Sequence, residues 1–204
     1  MGSFFNNISI RKRLGVAFAL ILALSLAVIL VSIARLNTVA ETTERMVQDP
    51  IKTERLVGDW YRNIHTGVRR TAAIARSSDP SLAEYFAEDQ ANSSKTSGEF
   101  QKALEPLMVS DAEKTLYREI GEQRKIYIAA RDEIVALKKD GKTEEANKLL
   151  DEKFTPASKV YMAKIEALLQ NQRDSIDQMA KEIQDAHTSS RRLLFVLATV
   201  SLLL

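Results

Sequence analysis

Apolar and polar positions divide this chain into two apolar ends and a long middle part with a helical period. Leu14 to Ala34 is a run of 21 residues without a charge, and the run from Leu193 to Leu204 is also uncharged. Between these runs, apolar residues recur every three or four positions, which is the spacing of amphipathic helices. The pattern therefore predicts a helical domain between two membrane-embedded segments.

Three turn signals divide the middle part into four helices, over 37–77, 80–108, 111–139 and 143–190. The signals centre on Asp79-Pro80 with Asp79 as N-cap, on Ser110-Asp111 with either residue as cap, and on Gly141 as helix stop with Thr143 as the next cap. Pro156 is expected to kink the fourth helix. Short connections between long helices favour antiparallel neighbours. The predicted fold class is all-α: an antiparallel up-down four-helix bundle flanked by two transmembrane helices.

The apolar ends set the predicted domain boundaries and the topology. Residues 14–34 can span a bilayer about 30 Å thick and exceed the apolar core of a signal peptide. Arg11, Lys12 and Arg13 precede this run, so the positive-inside rule places residues 1–13 in the cytoplasm. Residues 35–192 then form a periplasmic domain at a bacterial inner membrane. We interpret residues 193–204 as the start of a second, truncated membrane helix.

Composition and charge exclude several classes of function. The absence of cysteine excludes disulfides and Cys-ligated metals. Of 29 Lys and Arg, four lie within residues 1–35, which leaves 25 against 27 acids in the middle, so no basic stripe indicates nucleic-acid binding. The two histidines, His65 and His187, lack a metal-ligand spacing. With no phosphate loop and no Ser-His-Asp order, we predict no enzyme, no metal site and no cofactor.

Polar residues at predicted core positions indicate a binding site. Arg124, Tyr127 and Arg131 occupy successive slots of the apolar stripe of helix 111–139, and Ser93 and Ser97 leave a gap in the stripe of helix 80–108. In an antiparallel bundle these two anomalies meet at one height, in the half far from the membrane. Guanidiniums in a core are costly unless an anion compensates them.

The chemistry of these side chains fits a compact anion with one or two carboxylates. A guanidinium can bind a carboxylate through two parallel hydrogen bonds, and a tyrosine hydroxyl adds a directional one. The alternative is that Arg124 and Arg131 lie at the border of the stripe and pair with acids such as Glu88, Asp89 or Glu99. On this alternative the bundle is a structural or adaptor domain without a ligand.

Further candidates lie at the same height on the other two helices. Arg69, Arg70 and Thr71 lie level with Arg131 on the first helix, and Thr155 and Ser158 flank Pro156 on the fourth. If two bundles pair through the first helix, its arginines would line a cleft shared between the subunits.

Two segments resemble a known family. Ile8-Ser9-Ile10-Arg11-Lys12-Arg13-Leu14, followed by a membrane helix, resembles the start of bacterial methyl-accepting chemotaxis proteins. The segment with Asp140-Gly141-Lys142, Glu145-Ala146, Leu149-Leu150, Pro156 and Tyr161 is similar to the second half of their four-helix-bundle sensor module. Together the segments extend this resemblance over nearly the whole chain.

The resemblance implies a periplasmic ligand-binding domain that works as a homodimer and holds its ligand with arginines. The spacing of Arg124, Tyr127 and Arg131 resembles the anchor of members that bind citrate or malate. The implied function is a chemoreceptor sensor that binds a small di- or tricarboxylate and transmits a signal through the fourth helix, with cytoplasmic signalling partners contacted beyond Leu204. The same sensor attached to a histidine kinase or a cyclic-nucleotide signalling protein is the alternative.

Overall fold

A computed structural model describes residues 10–203, and over this range the chain is helical with no β-strand. This confirms the predicted all-α fold. Residues 1–9 of the predicted cytoplasmic segment, and Leu204, lie outside the described residues. Within the described residues there are seven α-helices: α1 (Ile10–Met46), α2 (Lys52–Arg76), α3 (Leu82–Tyr85), α4 (Ala87–Leu104), α5 (Asp111–Lys139), α6 (Thr143–Leu149) and α7 (Thr155–Leu203).

The described chain forms two compact units. The first comprises α1 and the part of α7 from Asp177 onward, and the second comprises Val47–Ile176. In the first unit, an 18-residue window of the N-terminal helix has a mean hydropathy of 3.0 and no buried residues. Among the described residues this is the one helix long and apolar enough to cross a membrane. The predicted second membrane segment stays a prediction.

The core of the second unit is built by apolar stripes from α2, α5 and α7. Helix α2 packs against α4 and α5, and α5 packs against α6. Apolar residues spaced three to four positions apart are fully buried on α2, at Val57 and Trp60, and on α7, at Tyr161, Ile165 and Leu168. The stripes therefore point inward as their spacing predicts.

Two turns confirm the local chemistry predicted for them. Ser110 caps α5: its hydroxyl accepts from the Glu113 backbone N–H, and the Glu113 carboxylate accepts from the Ser110 N–H, which is a capping box. Gly141 ends α5 with a φ of 76°, a left-handed conformation that glycine adopts without strain. The Lys142 N–H bonds the Leu137 carbonyl across this turn, as in a Schellman motif.

Two predicted caps are wrong. Thr143 is the first residue of α6 rather than its cap, because its hydroxyl accepts a hydrogen bond from the Lys138 ammonium at 3.0 Å. Asp79 does not cap a helix at Pro80. Its carboxylate instead accepts from the N–H and hydroxyl of Ser81, which lowers the pKa of Asp79, and α3 begins only at Leu82.

Prolines interrupt the predicted helices differently from expectation. The fourth helix is not simply kinked at Pro156, since a π-helical turn, Leu150–Phe154, separates α6 from α7 just before it. A second π-helical turn, Val47–Ile51, contains Pro50 and ends α1. Proline lacks an N–H and displaces the carbonyl four residues earlier, which a wider turn accommodates. The predicted helix 80–108 ends in a 3₁₀ turn, Glu105–Leu107, that contains Pro106. The same helix is also interrupted at Phe86, between α3 and α4, where no proline is present.

Candidate anion-binding site

A cavity of about 20 Å³, room for about one water molecule, lies between α2, α4 and α5. Its walls come from three helices, and most of the lining side chains are hydrogen-bonding groups. The lining residues are Asn63, Ile64, Gly67, Arg70 and Thr71 of α2, Gln90, Ser93, Ser94 and Ser97 of α4, and Arg124, Tyr127, Ile128 and Arg131 of α5. The arginine stripe and the serine gap predicted from the sequence therefore meet at one place.

Arg124 reaches from α5 to α4 and is held only by neutral acceptors. Its Nη1 donates to the Gln101 side-chain oxygen, and its Nη2 donates to the Ser94 carbonyl at 3.1 Å. Among the described residues, no carboxylate forms an ion pair with it. Since a guanidinium carries five N–H donors, Arg124 keeps donors for a further acceptor.

Arg131 lies about two helical turns further along α5 and is mostly buried, with 12% of its side chain exposed. Its Nη1 donates to the Ser94 hydroxyl at 2.7 Å, and its Nε donates to Asp132 at 2.8 Å. Asp132 is 55% exposed and does not line the cavity, so water screens part of this ion pair. The ion pair positions the guanidinium and compensates part of its charge, while the Asp132 carboxylate itself lies outside the cavity lining.

Arg70 completes the set from α2. Its Nη1 donates to the Asp89 carbonyl at 3.2 Å and to the Ser93 hydroxyl at 3.4 Å, and its guanidinium lies over the Phe86 ring at 5.8 Å. These contacts hold the charged group at the cavity edge through a cation–π interaction and neutral oxygens. Three positive groups from two helices thus converge on a cavity that no carboxylate lines.

Tyr127 places a hydroxyl without a hydrogen-bond partner among the described residues at this cavity. The ring is 3% exposed and packs against Phe154 and Tyr161, with both centroid distances at 5.3 Å. Its hydroxyl lies beside Gly67 and forms no hydrogen bond with any residue that the structure describes. Burial raises the pKa of Tyr127, although Arg131 and Arg70 oppose this, so the hydroxyl stays protonated and can donate.

A polar network closes the cavity between α2 and α4. Asn63 donates to the Ser97 hydroxyl at 2.8 Å and to the Ser93 carbonyl at 2.9 Å, and its side-chain oxygen accepts from the Ser93 hydroxyl at 2.8 Å. The small serines allow α4 to approach α2 closely, and the carboxamide satisfies their hydroxyls. The predicted gap in the α4 stripe is therefore partly filled by a residue of α2.

Three predicted residues do not line the cavity: Arg69, Thr155 and Ser158. Arg69 is exposed because one residue step turns a helix by about 100°, which points it away from the face of Arg70. Thr155 and Ser158 belong to α7, which contributes no wall. Ser158 is buried, and its hydroxyl has no hydrogen-bond partner among the described residues. Thr71 does line the cavity, although its hydroxyl donates to the Gly67 carbonyl at 2.9 Å.

Six lining residues are absent from the sequence prediction of the site: Asn63, Ile64, Gly67, Gln90, Ser94 and Ile128. Asn63 and Gly67 are four residues apart on α2, and Gly67 is four residues before Thr71, so helical spacing from Thr71 identifies this face. Ser94 was detectable as a third serine beside Ser93. No pattern in the sequence distinguishes Gln90 or Ile128 from ordinary helix positions.

In the described part of the chain neither Arg124 nor Arg131 pairs with Glu88, Asp89 or Glu99, but Arg131 does pair with another acid, Asp132, as the alternative expects. Asp89 does contact an arginine, but through its backbone carbonyl and to Arg70. The described residues also contain no group of three or more His, Asp or Glu placed to hold a metal ion. The cavity can therefore supply positive charge and hydrogen-bond donors to an anion.

Comparison with known families identifies the same architecture. The sequence matches the family described as a four helix bundle sensory module for signal transduction, over residues 7–187. No curated protein matches the chain significantly. Sensory modules of this kind are typically non-enzymatic, and the apolar N-terminal helix is consistent with a membrane receptor. The chain belongs to the four-helix-bundle sensory modules of methyl-accepting chemotaxis and signal transduction proteins.

Proposed function

We propose that this chain is the sensor region of a chemoreceptor and that the cavity binds a small organic acid. The ligand is a di- or tricarboxylate such as malate or citrate. Three guanidiniums surround the cavity with no lining carboxylate, and this observation carries the proposal. A charge-assisted hydrogen bond to a carboxylate is about twice as strong as a neutral one, so an anion gains most from these donors.

The size of the cavity indicates how binding acts on the fold. A volume of about 20 Å³ is far smaller than a dicarboxylate. Entry of such a ligand requires α4 to separate from α2 and α5, which breaks the hydrogen bonds of Asn63 to Ser93 and Ser97. Binding is therefore coupled to a rearrangement of the bundle, and the acid shifts the equilibrium only by its preference for the opened form.

Tyr127 provides the route from the cavity to α7. Its ring contacts Tyr161 of α7 at a centroid distance of 5.3 Å, and Tyr161 contacts Trp60 of α2 at 6.2 Å. Because α7 is one helix from Thr155 to Leu203, a shift of about 1–2 Å at Tyr161 moves the helix as a rigid element. The signal crosses the inner membrane through this helix, with the sensor in the periplasm and the N-terminus in the cytoplasm.

The receptor works as a homodimer through α2. Signalling partners in the cytoplasm are contacted by a part of the protein beyond Leu204. A histidine kinase or a cyclic-nucleotide signalling protein carrying this sensor is the alternative output, and the residues that follow Leu204 distinguish these outputs. A ligand-free structural bundle is the alternative that the binding experiment excludes or establishes.

The experiment is thermal unfolding of the purified full chain in lipid nanodiscs with a panel of small carboxylates. An acid at about one hundred times its Kd stabilises the fold by about 2.7 kcal/mol, which is a Tm rise of about 5–10 °C for a domain of this size. We expect malate or citrate to give this rise and Arg131→Gln to abolish most of it. If no acid in the panel raises the Tm, the bundle is not a carboxylate sensor.

Arg118→Gln provides the matched control. Arg118 is an exposed arginine on the same helix and does not line the cavity, so this variant loses the same charge at a distance from the site. We expect the variant to respond to the acid as the wild type does. An equal loss of response in both variants would indicate unspecific attraction to the net charge of the domain rather than a binding site.

A further inference from the structure

Gly67 lies in the interior of α2, where glycine is unfavourable. Glycine destabilises a helix interior because it loses more backbone freedom than alanine on folding. Helix α2 also contains Gly58, where an added Cβ would meet nothing within 4 Å. At Gly67 an added Cβ would lie 3.0 Å from the Tyr127 hydroxyl. The two glycines therefore differ in what a side chain would contact.

The ring of Tyr127 is held on two sides. It is 3% exposed and is held by the rings of Phe154 and Tyr161, both at 5.3 Å. Tyr161 is itself fully buried against Trp60. An added Cβ at 3.0 Å requires the hydroxyl to move by a few tenths of an ångström, and the packed ring resists this movement because dense interiors resist even small changes in volume.

We propose that Gly67 is a positioning residue for ligand recognition, because its missing side chain keeps the Tyr127 hydroxyl in the cavity wall as a free donor. The inference rests on the proposed function, since it assigns this hydroxyl a hydrogen bond to the bound acid. Gly67 and Tyr127 both line the cavity beside the guanidiniums of Arg70 and Arg131. The hydroxyl therefore adds a directional donor to groups that attract the anion by charge.

The first arm of the test measures the Tm of the full chain without added acid. Gly58→Ala is the control, and we expect it to raise the Tm by about 2–4 °C because alanine favours the helix. Gly67→Ala is expected to lower the Tm in the wild-type background. In the Tyr127→Phe background the hydroxyl is gone, so Gly67→Ala is expected to raise the Tm as Gly58→Ala does. The same response to Gly67→Ala in both backgrounds would overturn the proposed contact.

The second arm measures the affinity for malate and citrate by calorimetry on the same four variants and the wild type. Tyr127→Phe and Gly67→Ala are each expected to weaken binding about tenfold, the effect of one lost hydrogen bond. The double variant is expected to bind no more weakly than Tyr127→Phe alone, and Gly58→Ala as tightly as the wild type.

The outcomes separate this inference from the proposed function. Wild-type affinity in Gly67→Ala overturns the positioning role while the carboxylate site stands. If the affinity of the double variant falls by the product of the two single fold-changes, Gly67 acts by leaving space for the ligand and not through Tyr127. This result also overturns the inference. If the wild type binds neither malate nor citrate, nor any other acid of the panel, the proposed function fails and the positioning role fails with it.

Discussion

Two basic regions of the bundle differ in how their positive charges are satisfied. At the end of α5, Lys138 is 1% exposed, and its ammonium donates to the Ser77 carbonyl at 2.6 Å and to the Thr143 hydroxyl at 3.0 Å. These bonds connect the end of α2 to the first residue of α6. A buried lysine is costly unless it is hydrogen bonded, and here two of its three donors have fixed acceptors.

The arginines at the cavity are arranged differently. Arg124 uses two of its five donors on protein acceptors, and no carboxylate lines the cavity that it shares with Arg70 and Arg131. The contrast with Lys138 shows that the hydrogen-bond partners of a cation indicate whether it stabilises the fold or is available to a ligand. A cation whose acceptors belong to the fold stabilises the fold, whereas cations with spare donors around a cavity are available to a ligand.

The largest effect on stability is expected from Lys138→Ala. The substitution leaves a void at a fully buried position and removes the donor of Ser77 and Thr143, which together cost about 2–4 kcal/mol in the free energy of unfolding. Denaturant unfolding measures this loss, with the exposed neighbour Lys139→Ala as control at about 0.5 kcal/mol or less. An unchanged midpoint for Lys138→Ala would show that the ammonium does not connect these turns.

Arg124→Gln is expected to act on binding rather than on the fold. Loss of a charged donor from the site weakens acid binding by about 1.5–3 kcal/mol, or roughly ten- to a hundredfold in Kd. Calorimetry with malate or citrate measures the loss, and Lys138→Ala, where it remains folded, keeps the wild-type Kd. The distinction between the stabilising Lys138 and the ligand-binding Arg124 would be contradicted if Arg124→Gln unfolds the domain, or if Lys138→Ala weakens acid binding as much as Arg124→Gln does.

The adjacent arginines Arg70 and Arg69 provide a smaller and sharper test. Arg70→Gln removes a guanidinium at the cavity edge and should cost about 0.5–1.5 kcal/mol of binding free energy, less than Arg124→Gln, since Arg70 is partly exposed and water weakens its attraction for an anion. Arg69→Gln removes an exposed charge one residue away and should leave the Kd unchanged. Equal effects in the two variants, measured in the same calorimetric experiment, would remove the distinction between lining and exposed arginines.

The smallest effect concerns a carboxylate whose partners also belong to the fold. Burial by itself raises the pKa of Glu113, but hydrogen bonds from Ser110, Gln172 and Val109 outweigh it and leave the pKa below its ordinary value of 4.5. The unfolded chain then binds more protons, so this stabilisation is present above pH 4.5 and is lost as the pH falls through the folded-state pKa.

Glu113→Gln should therefore lower the Tm at neutral pH and lose less Tm than the wild type on acidification below pH 4.5. The measurement is the Tm at neutral and at acidic pH. Glu122→Gln, an exposed carboxylate of α5, serves as control and should lose as much Tm as the wild type. Parallel pH profiles for the wild type and Glu113→Gln would contradict the role of the capping box.

Local sequence rules predicted most of the fold and part of the candidate site. The bounds of α5 follow from the Ser110 capping box and the Gly141 stop, because both depend on residues within a few positions. The predicted cap at Thr143 failed because its hydroxyl is bound by Lys138. The position of the Lys138 ammonium depends on the Ser77 carbonyl at the end of α2, far away in the sequence, so no local rule marks it.

The site divides in the same way. Arg124, Tyr127 and Arg131 were predicted because polar residues interrupt a single-helix period, and Ser93 and Ser97 because small residues leave a gap in a neighbouring stripe. The role of Asn63 depends on the distance between α2 and α4, since this side chain fills the gap from the other helix. The rotation and close approach of the helices also exclude Thr155 and Ser158 from the cavity.

The sequence by itself determined that the chain is helical, where most of its turns lie, that its N-terminal segment is apolar enough to cross a membrane, and which stripe carries arginines. These features follow from periodicity and turn chemistry, which act over a few residues. Only the tertiary structure decided that the arginines share a small cavity without a lining carboxylate, that Lys138 is buried with its acceptors, and that Gly67 lies against the Tyr127 hydroxyl. Those features depend on distances between helices, which a single-helix pattern does not contain.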